Sequence, residues 1–253
     1  MSLSDQSKNF FRFAGLSLFG ALLMYQLVVA AGKGLADVYA LPTMIFLLEI
    51  HDRHLELAEE DRQVVEINLN RALALAPDNP DYLSNLGWLQ QIRLRQEQDT
   101  LDPVEKAQIE TLAYQSYAQA SAQRPTWPYD WGDMALEQYL QANFSGASYH
   151  RALVNAARFG PWKDDIQLII AELALDTWDD LNLAARQALL MTIDRGLQRQ
   201  PDTIIAIIEA YPAWDTVCAP EQGVSDDFAA LLHLLAECQR RLSEESGSST
   251  VGI

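Results

Sequence analysis

With 253 residues, 49% of them hydrophobic, the chain is long enough to bury a sizeable core or to build an elongated helical array. Its 35 acidic residues outnumber 18 basic ones, giving a formal charge of −17, a field that repels nucleic acid and excludes it as a partner. The acidic excess names no partner of its own, because such surfaces also keep folded proteins soluble.

The N-terminus departs from that average. Residues 1–12 are read as a short cytoplasmic tail, and residues 13–32, FAGLSLFGALLMYQLVVAAG, carry no charge over twenty positions. At 1.5 Å per residue the run spans roughly 30 Å, the thickness of a bilayer core, and is expected to be a transmembrane helix despite the amide of Gln26. Two other readings stand beside it: a buried helix of a soluble protein, and a signal peptide cleaved near the V-V-A of 28–30, for which the apolar run is long. Lys8 and Arg12 favour a cytoplasmic tail, a bias that Lys33 weakens. In a bacterial inner membrane, residues 34–253 would then lie in the periplasm.

Residues 33–242 read as a helical-repeat domain and 243–253 as a disordered tail. The stretch ALPTMIFLLEIHDRHLELAEE is amphipathic, with Met44, Leu47, Leu48, His51 and Leu55 on one broad face, and opens the body. Its apolar run at 44–48 is too short for a second span and reads more simply as packing on the first repeat than as lying at the membrane interface. Val65, Leu69, Ala72 and Leu73 then recur at helical spacing up to a proline turn, and Leu83, Leu86 and Leu89 mark the next helix. Gly87 leaves room there for close helix approach.

That junction recurs. Pro77 aligns with Pro125 and Pro80 with Pro128; Ala72 matches Ala120, Leu83 matches Trp131, Leu86 matches Met134 and Gly87 matches Ala135. RALALAPDNPDYLSNLG and AQASAQRPTWPYDWGDMA thus read as two copies of one helix–turn–helix corner, and their residues resemble tetratricopeptide repeats. The first two turn prolines are 48 positions apart, so a long connection is expected over 93–108, with Pro103 starting the next helix and Glu105 in its first turn. Later turns fall at 159–165 and 197–203, separated by the stripes Ile166, Ile169, Ile170, Leu173 and Leu183, Leu190, Ile193, Leu197. DTIIAIIEAYPAW is β-branched but spaced like a buried helix, and residues 226–245 read as a terminal capping helix. Each hairpin would cover the apolar face of its neighbour. The expected fold is all-α, with an N-terminal transmembrane helix followed by an irregular tetratricopeptide-like helical-repeat solenoid.

Patterns that carry chemistry are sparse. His51 and His54 share a helical face beside Asp52, but a zinc centre needs further ligands, and the pattern reads as polar or packing histidines. Cys218 and Cys238 read more simply as buried thiols than as a disulfide across a terminal hairpin, although that pairing stays open. Asp164/Asp165 and Asp179/Asp180 read as helix-capping acids. No phosphate-binding glycine loop, dinucleotide motif or G-x-S-x-G is present, and no catalytic residue, cofactor or metal is assigned.

Surface recognition remains. Among Trp88, Trp127, Trp131, Tyr139, Trp162 and Trp178, repeat parity sends Trp131 inward and leaves Trp127 freer. Arg124, Trp127, Tyr129 and Trp162 are therefore the candidate partner-binding residues. The stretches RALALAPDNPDYLSNLG, RPTWPYDWGDMAL and HRALVNAARFGPWKDDIQ together resemble the VpsP family of bacterial exopolysaccharide-biosynthesis proteins, over roughly residues 10–215. The resemblance implies a membrane-anchored accessory of polysaccharide assembly or export and assigns no catalytic residue. Its implied partners are assembly or export proteins; direct glycan binding is the alternative.

Overall fold

The computed structural model describes residues 3–53, 55–219 and 230–248. Among these the chain is all-α, with eleven α-helices, one 3-10 turn and no strand. It divides into two compact units, Met1–Ile92 and Arg93–Ile253.

In the first unit, α1 (Leu3–Asp52) is one helix of 50 residues, which runs through the expected boundary between membrane segment and body at 32/33. Pro42 lies inside it and lacks the N–H that would reach the carbonyl four residues back. The Thr43 hydroxyl donates to the Tyr39 carbonyl at 3.1 Å, and packing against α2 (Glu59–Leu75) secures α1 on both sides of the proline. Ala36 and Ala40 pack with Ala72, Ala76 and Tyr82; Leu47 and Ile50 pack with Leu57, Val65, Leu69 and the α3 (Pro80–Glu97) residues Leu89 and Ile92.

The buried face of α1 is therefore Ala36, Ala40, Thr43, Leu47 and Ile50. Leu48, expected inside, is exposed because the face of α1 carrying Ala36 and Ala40 is the one that packs on α2; Leu55, also expected inside, lies beyond the helix end and is exposed. Further toward the N-terminus, Leu16, Phe19, Leu23 and Leu27 are exposed, and none of the helix's most apolar window is buried. Among the described residues α1 is the one helix long and apolar enough to cross a membrane.

The second unit begins with the end of α3. Most of the long connection expected over 93–108 is helix: α3 runs to Glu97 and α4 (Pro103–Gln123) starts after five intervening residues. The Asp102 carboxylate accepts from the N–H groups of Val104 and Glu105 at 2.9 Å, with Pro103 in the first turn, which completes the N-cap. Arg93 bonds Glu97 at 3.0 Å and also pairs with Glu105, tying the two helix ends.

Then follow α5 (Pro128–Leu140), α6 (Ala147–Phe159), α7 (Asp164–Asp176), α8 (Leu183–Arg199), α9 (Pro201–Ala210), α10 (Trp214–Cys218) and α11 (Leu232–Ser248). The β-branched run of α9 is helical and buries Ile204, Ile207 and Ile208. Asp164 and Asp165 lie at the expected helix start, in the first turn of α7, where the Asp164 carboxylate accepts from the Arg199 guanidinium at 2.6 and 3.2 Å. Asp179 and Asp180 instead form the 3-10 turn, while Asn182 caps α8 by accepting from Ala185 N–H at 2.9 Å. Helix α11 continues past the expected tail boundary at 243; residues 249–253 lie outside the described residues.

Three corners share one backbone pattern. The N–H of Ala76, Arg124 and Gly160 donates to the carbonyl of Ala72, Ala120 and Ala156 at 2.9, 3.0 and 2.9 Å. The N–H of Asn79, Trp127 and Lys163 then donates back to Ala76, Arg124 and Gly160, and a helix starts at the next residue. Gly196 holds the alanine's place at a fourth, shorter corner, where an added Cβ would lie 2.6 Å from Ile204 Cγ1.

Cys218 and Cys238 form a disulfide, against the simpler expectation of buried thiols. Helices α10 and α11 bring their Cα atoms to 5.6 Å, within bridging reach, a proximity that sequence spacing does not reveal. Asp194 of α8 also caps α11, accepting from the N–H groups of His233 and Leu234 at 2.8 and 3.0 Å. Replacing both cysteines by serine is expected to cost about 2–4 kcal/mol. Hydrogen exchange should then accelerate first in α11; unchanged protection there would contradict this.

Candidate functional site

The RPTWPYDW corner joins α4 to α5 and holds three of the four candidate residues in one contact chain. Arg124 ends α4, and its guanidinium reaches over the turn to Asp130, Nε to Oδ2 at 2.6 Å and Nη2 to Oδ1 at 2.9 Å. The same guanidinium lies 5.1 Å from the Trp127 ring centroid, and the Trp127 and Tyr129 rings are 5.4 Å apart. Trp127 is 43% exposed, whereas Asp130 is 1% exposed. Arg124 thus works as a structural clamp, and Trp127 presents the free surface.

Trp131 was expected to point inward. It is half-buried against the core, and its indole N–H donates to the Pro125 carbonyl at 2.9 Å, so one edge is spent closing the corner. The next corner touches this one: a Cβ added to Gly160 would lie 2.7 Å from Pro128 Cβ. Glycine there permits the close approach. Tyr129 has its phenol pushed up by burial, then by the charges of Asp165 and Asp164 at the start of α7.

Behind the corner lies a feature the sequence reading missed. Asp130, Asp133 and Glu137 follow at i, i+3 and i+7, which puts three carboxyls on one face of α5. Loss of water, then the neighbouring Asp130 and Glu137 charges, push Asp133 up to about 7, with Arg124 opposing. Burial and the same three acids push the Tyr117 phenol of α4 well up. The D-x-x-D-x-x-x-E spacing was the available signal, hidden among polar letters on a helix assumed to bury only apolar ones.

Trp162, the fourth candidate, stands beside a different surface. Helices α6 and α8 border a groove of about 370 Å³ with Val154, Ala157 and Met191 along it. Arg158 and Arg195 also line it, the latter 5.9 Å from the centroid of the Trp162 ring, which is 54% exposed. Neither guanidinium forms an ion pair among the described residues. Two uncompensated cations beside an exposed indole suit an anionic or polar segment of a partner. Arg158 and Arg195 come from separate helices, and only the packing of α6 on α8 brings them to one groove.

Of the HDRH pattern, the His51 side chain and His54 lie outside the described residues. Among the described residues, no three His, Cys, Asp or Glu side chains are grouped to hold a metal. Compared with family models, curated proteins and solved structures, the chain finds no match in any of the three.

Proposed function

We propose that the chain is a membrane-anchored, non-catalytic scaffold in bacterial exopolysaccharide biosynthesis and export. Its α1 segment fixes it in the inner membrane as a single-pass protein with the body in the periplasm, and the body positions partner proteins. The observation that carries the scaffold reading is the repeated corner at Ala76, Arg124 and Gly160, each preceded by a buried alanine. It supports an irregular tetratricopeptide-like solenoid, an architecture that offers extended surfaces and binds without bond-making chemistry. The polysaccharide setting rests on the resemblance of RPTWPYDW and RFGPW to the VpsP family. Arg124, Trp127, Tyr129 and Trp162 are the residues proposed to meet partners.

Partner capture after membrane-preserving extraction tests this, with a folded control lacking residues 1–33. Polysaccharide-assembly or export proteins should be enriched on the full chain. Recovery of none would count strongly against the scaffold. A second reading, direct glycan binding, draws on the exposed rings of Trp127 and Trp162, each beside a guanidinium. It requires saturable binding of the cognate polymer that Trp127→Ala weakens.

A further inference from the structure

One face of α1 stays uncovered well beyond any bilayer. Val38, Leu41, Ile45 and Leu48 are each more than half exposed, while the opposite face of the same stretch packs on α2. Lipid accounts for exposed apolar residues within 13–32, but from Gly32 to Ile50 the helix extends roughly 27 Å further. That part cannot sink into hydrocarbon, because α2 beside it carries Glu59, Glu60 and Asp61 in its first turn.

The spacing identifies what covers this face. Met24, Leu27, Ala31, Gly34, Val38, Leu41, Ile45 and Leu48 alternate three and four apart without a break, and all eight are exposed. This is the heptad pattern of a coiled-coil seam, with Met24, Ala31, Val38 and Ile45 at a and the others at d. Beyond the span, the a positions are β-branched Val38 and Ile45 and the d positions are Leu41 and Leu48, the combination that favours two parallel strands. Ala31 and Gly34 lie at the membrane boundary, where small residues let helices approach closely.

We propose that this face pairs with the same face of a second copy, forming a parallel two-stranded coil that runs out of the membrane along α1. The inference rests on the anchoring proposed above. Two copies inserted with one orientation are necessarily parallel, so each layer meets its own equivalent: Val38 with Val38, Leu41 with Leu41, and so on to Leu48. At the flanks, Asp37 faces Pro42 and Met44 faces Glu49, so no like charges are opposed. Two extramembrane heptads are too short to pair strongly in solution, and sharing one membrane supplies the effective concentration they lack.

Single cysteines placed in the full chain test the seam. Cys218 and Cys238 are bonded to each other, so an added thiol is the reactive one. Val38→Cys, Leu41→Cys, Ile45→Cys and Leu48→Cys are compared with Val64→Cys and Ile67→Cys, exposed sites on α2. After copper-phenanthroline oxidation of membranes, the α1 variants should give about ten-fold more product of twice the chain mass than the α2 variants. Equal yields at both sets, no dimer from any α1 position, or a product of another mass would overturn the pairing. The alkali-washed membrane pellet separates the two claims: absence of the chain from it would sink the anchoring, and retention without dimer would sink the pairing alone.

Discussion

Arg124→Ala is expected to destabilise the second unit by about 3–5 kcal/mol, because it leaves the buried Asp130 carboxylate without its bidentate partner. At roughly 2–4 °C per kcal/mol for a unit of this size, melting should fall by about 6 °C or more. Calorimetry of the full chain in detergent measures this. Asp130→Asn added to Arg124→Ala should recover part of the loss, since the uncompensated charge is then gone. Arg124→Lys keeps a cation but loses the fork and should fall between wild type and alanine. A melting point unchanged in Arg124→Ala would mean that the ion pair does not hold the corner.

The same corner predicts an unusual response to pH. Asp133 has its folded-state carboxyl raised from 3.8 to about 7, chiefly by loss of water and then by Asp130 and Glu137. A raised carboxyl favours the protonated form in the folded state. Its stabilising contribution is complete below about 4, declines as pH rises toward 7, and is gone above that. Melting temperature should therefore drop between pH 5 and pH 8. Asp133→Asn should flatten the profile and gain about 2 kcal/mol at pH 8, less than the full shift implies because the side chain is only partly buried. Glu237, held below its ordinary range mainly by Arg240, acts in the opposite sense, but only in more acidic solution. A profile that rises from pH 5 to pH 8 and is unaffected by Asp133→Asn would contradict the buried carboxyl cluster.

Much of the helical layout was legible because prolines and periodicity report local geometry. Pro80, Pro128 and Pro103 start helices where their fixed φ fits and no N–H is missed. Ala72 and Ala120 announced buried small positions in the turn before the first two corners. Other features depend on contacts between distant segments. The expected boundary between membrane segment and body at 32/33 falls inside one helix, because packing on α2 holds α1 on both sides of Pro42. The uneven spacing of the first two turn prolines suggested a loop, and longer α3 and α4 absorbed it. The Cys218–Cys238 bond and the Arg158–Arg195 groove join residues from separate helices. At the candidate site, Trp127 was found as an exposed ring, but Arg124 proved to be a clamp on Asp130 as well as a neighbour of that ring.

The scaffold claim is tested most directly by extracellular polymer yield in the native bacterium. A strain lacking the chain would be complemented either with the full sequence or with an exported body whose residues 1–33 are replaced by a cleaved signal peptide. The full chain should restore polymer export, while the untethered body, folded and present at equal level, should not. Unchanged polymer yield in the deletion strain, or full restoration by the untethered body, would contradict a membrane-anchored scaffold.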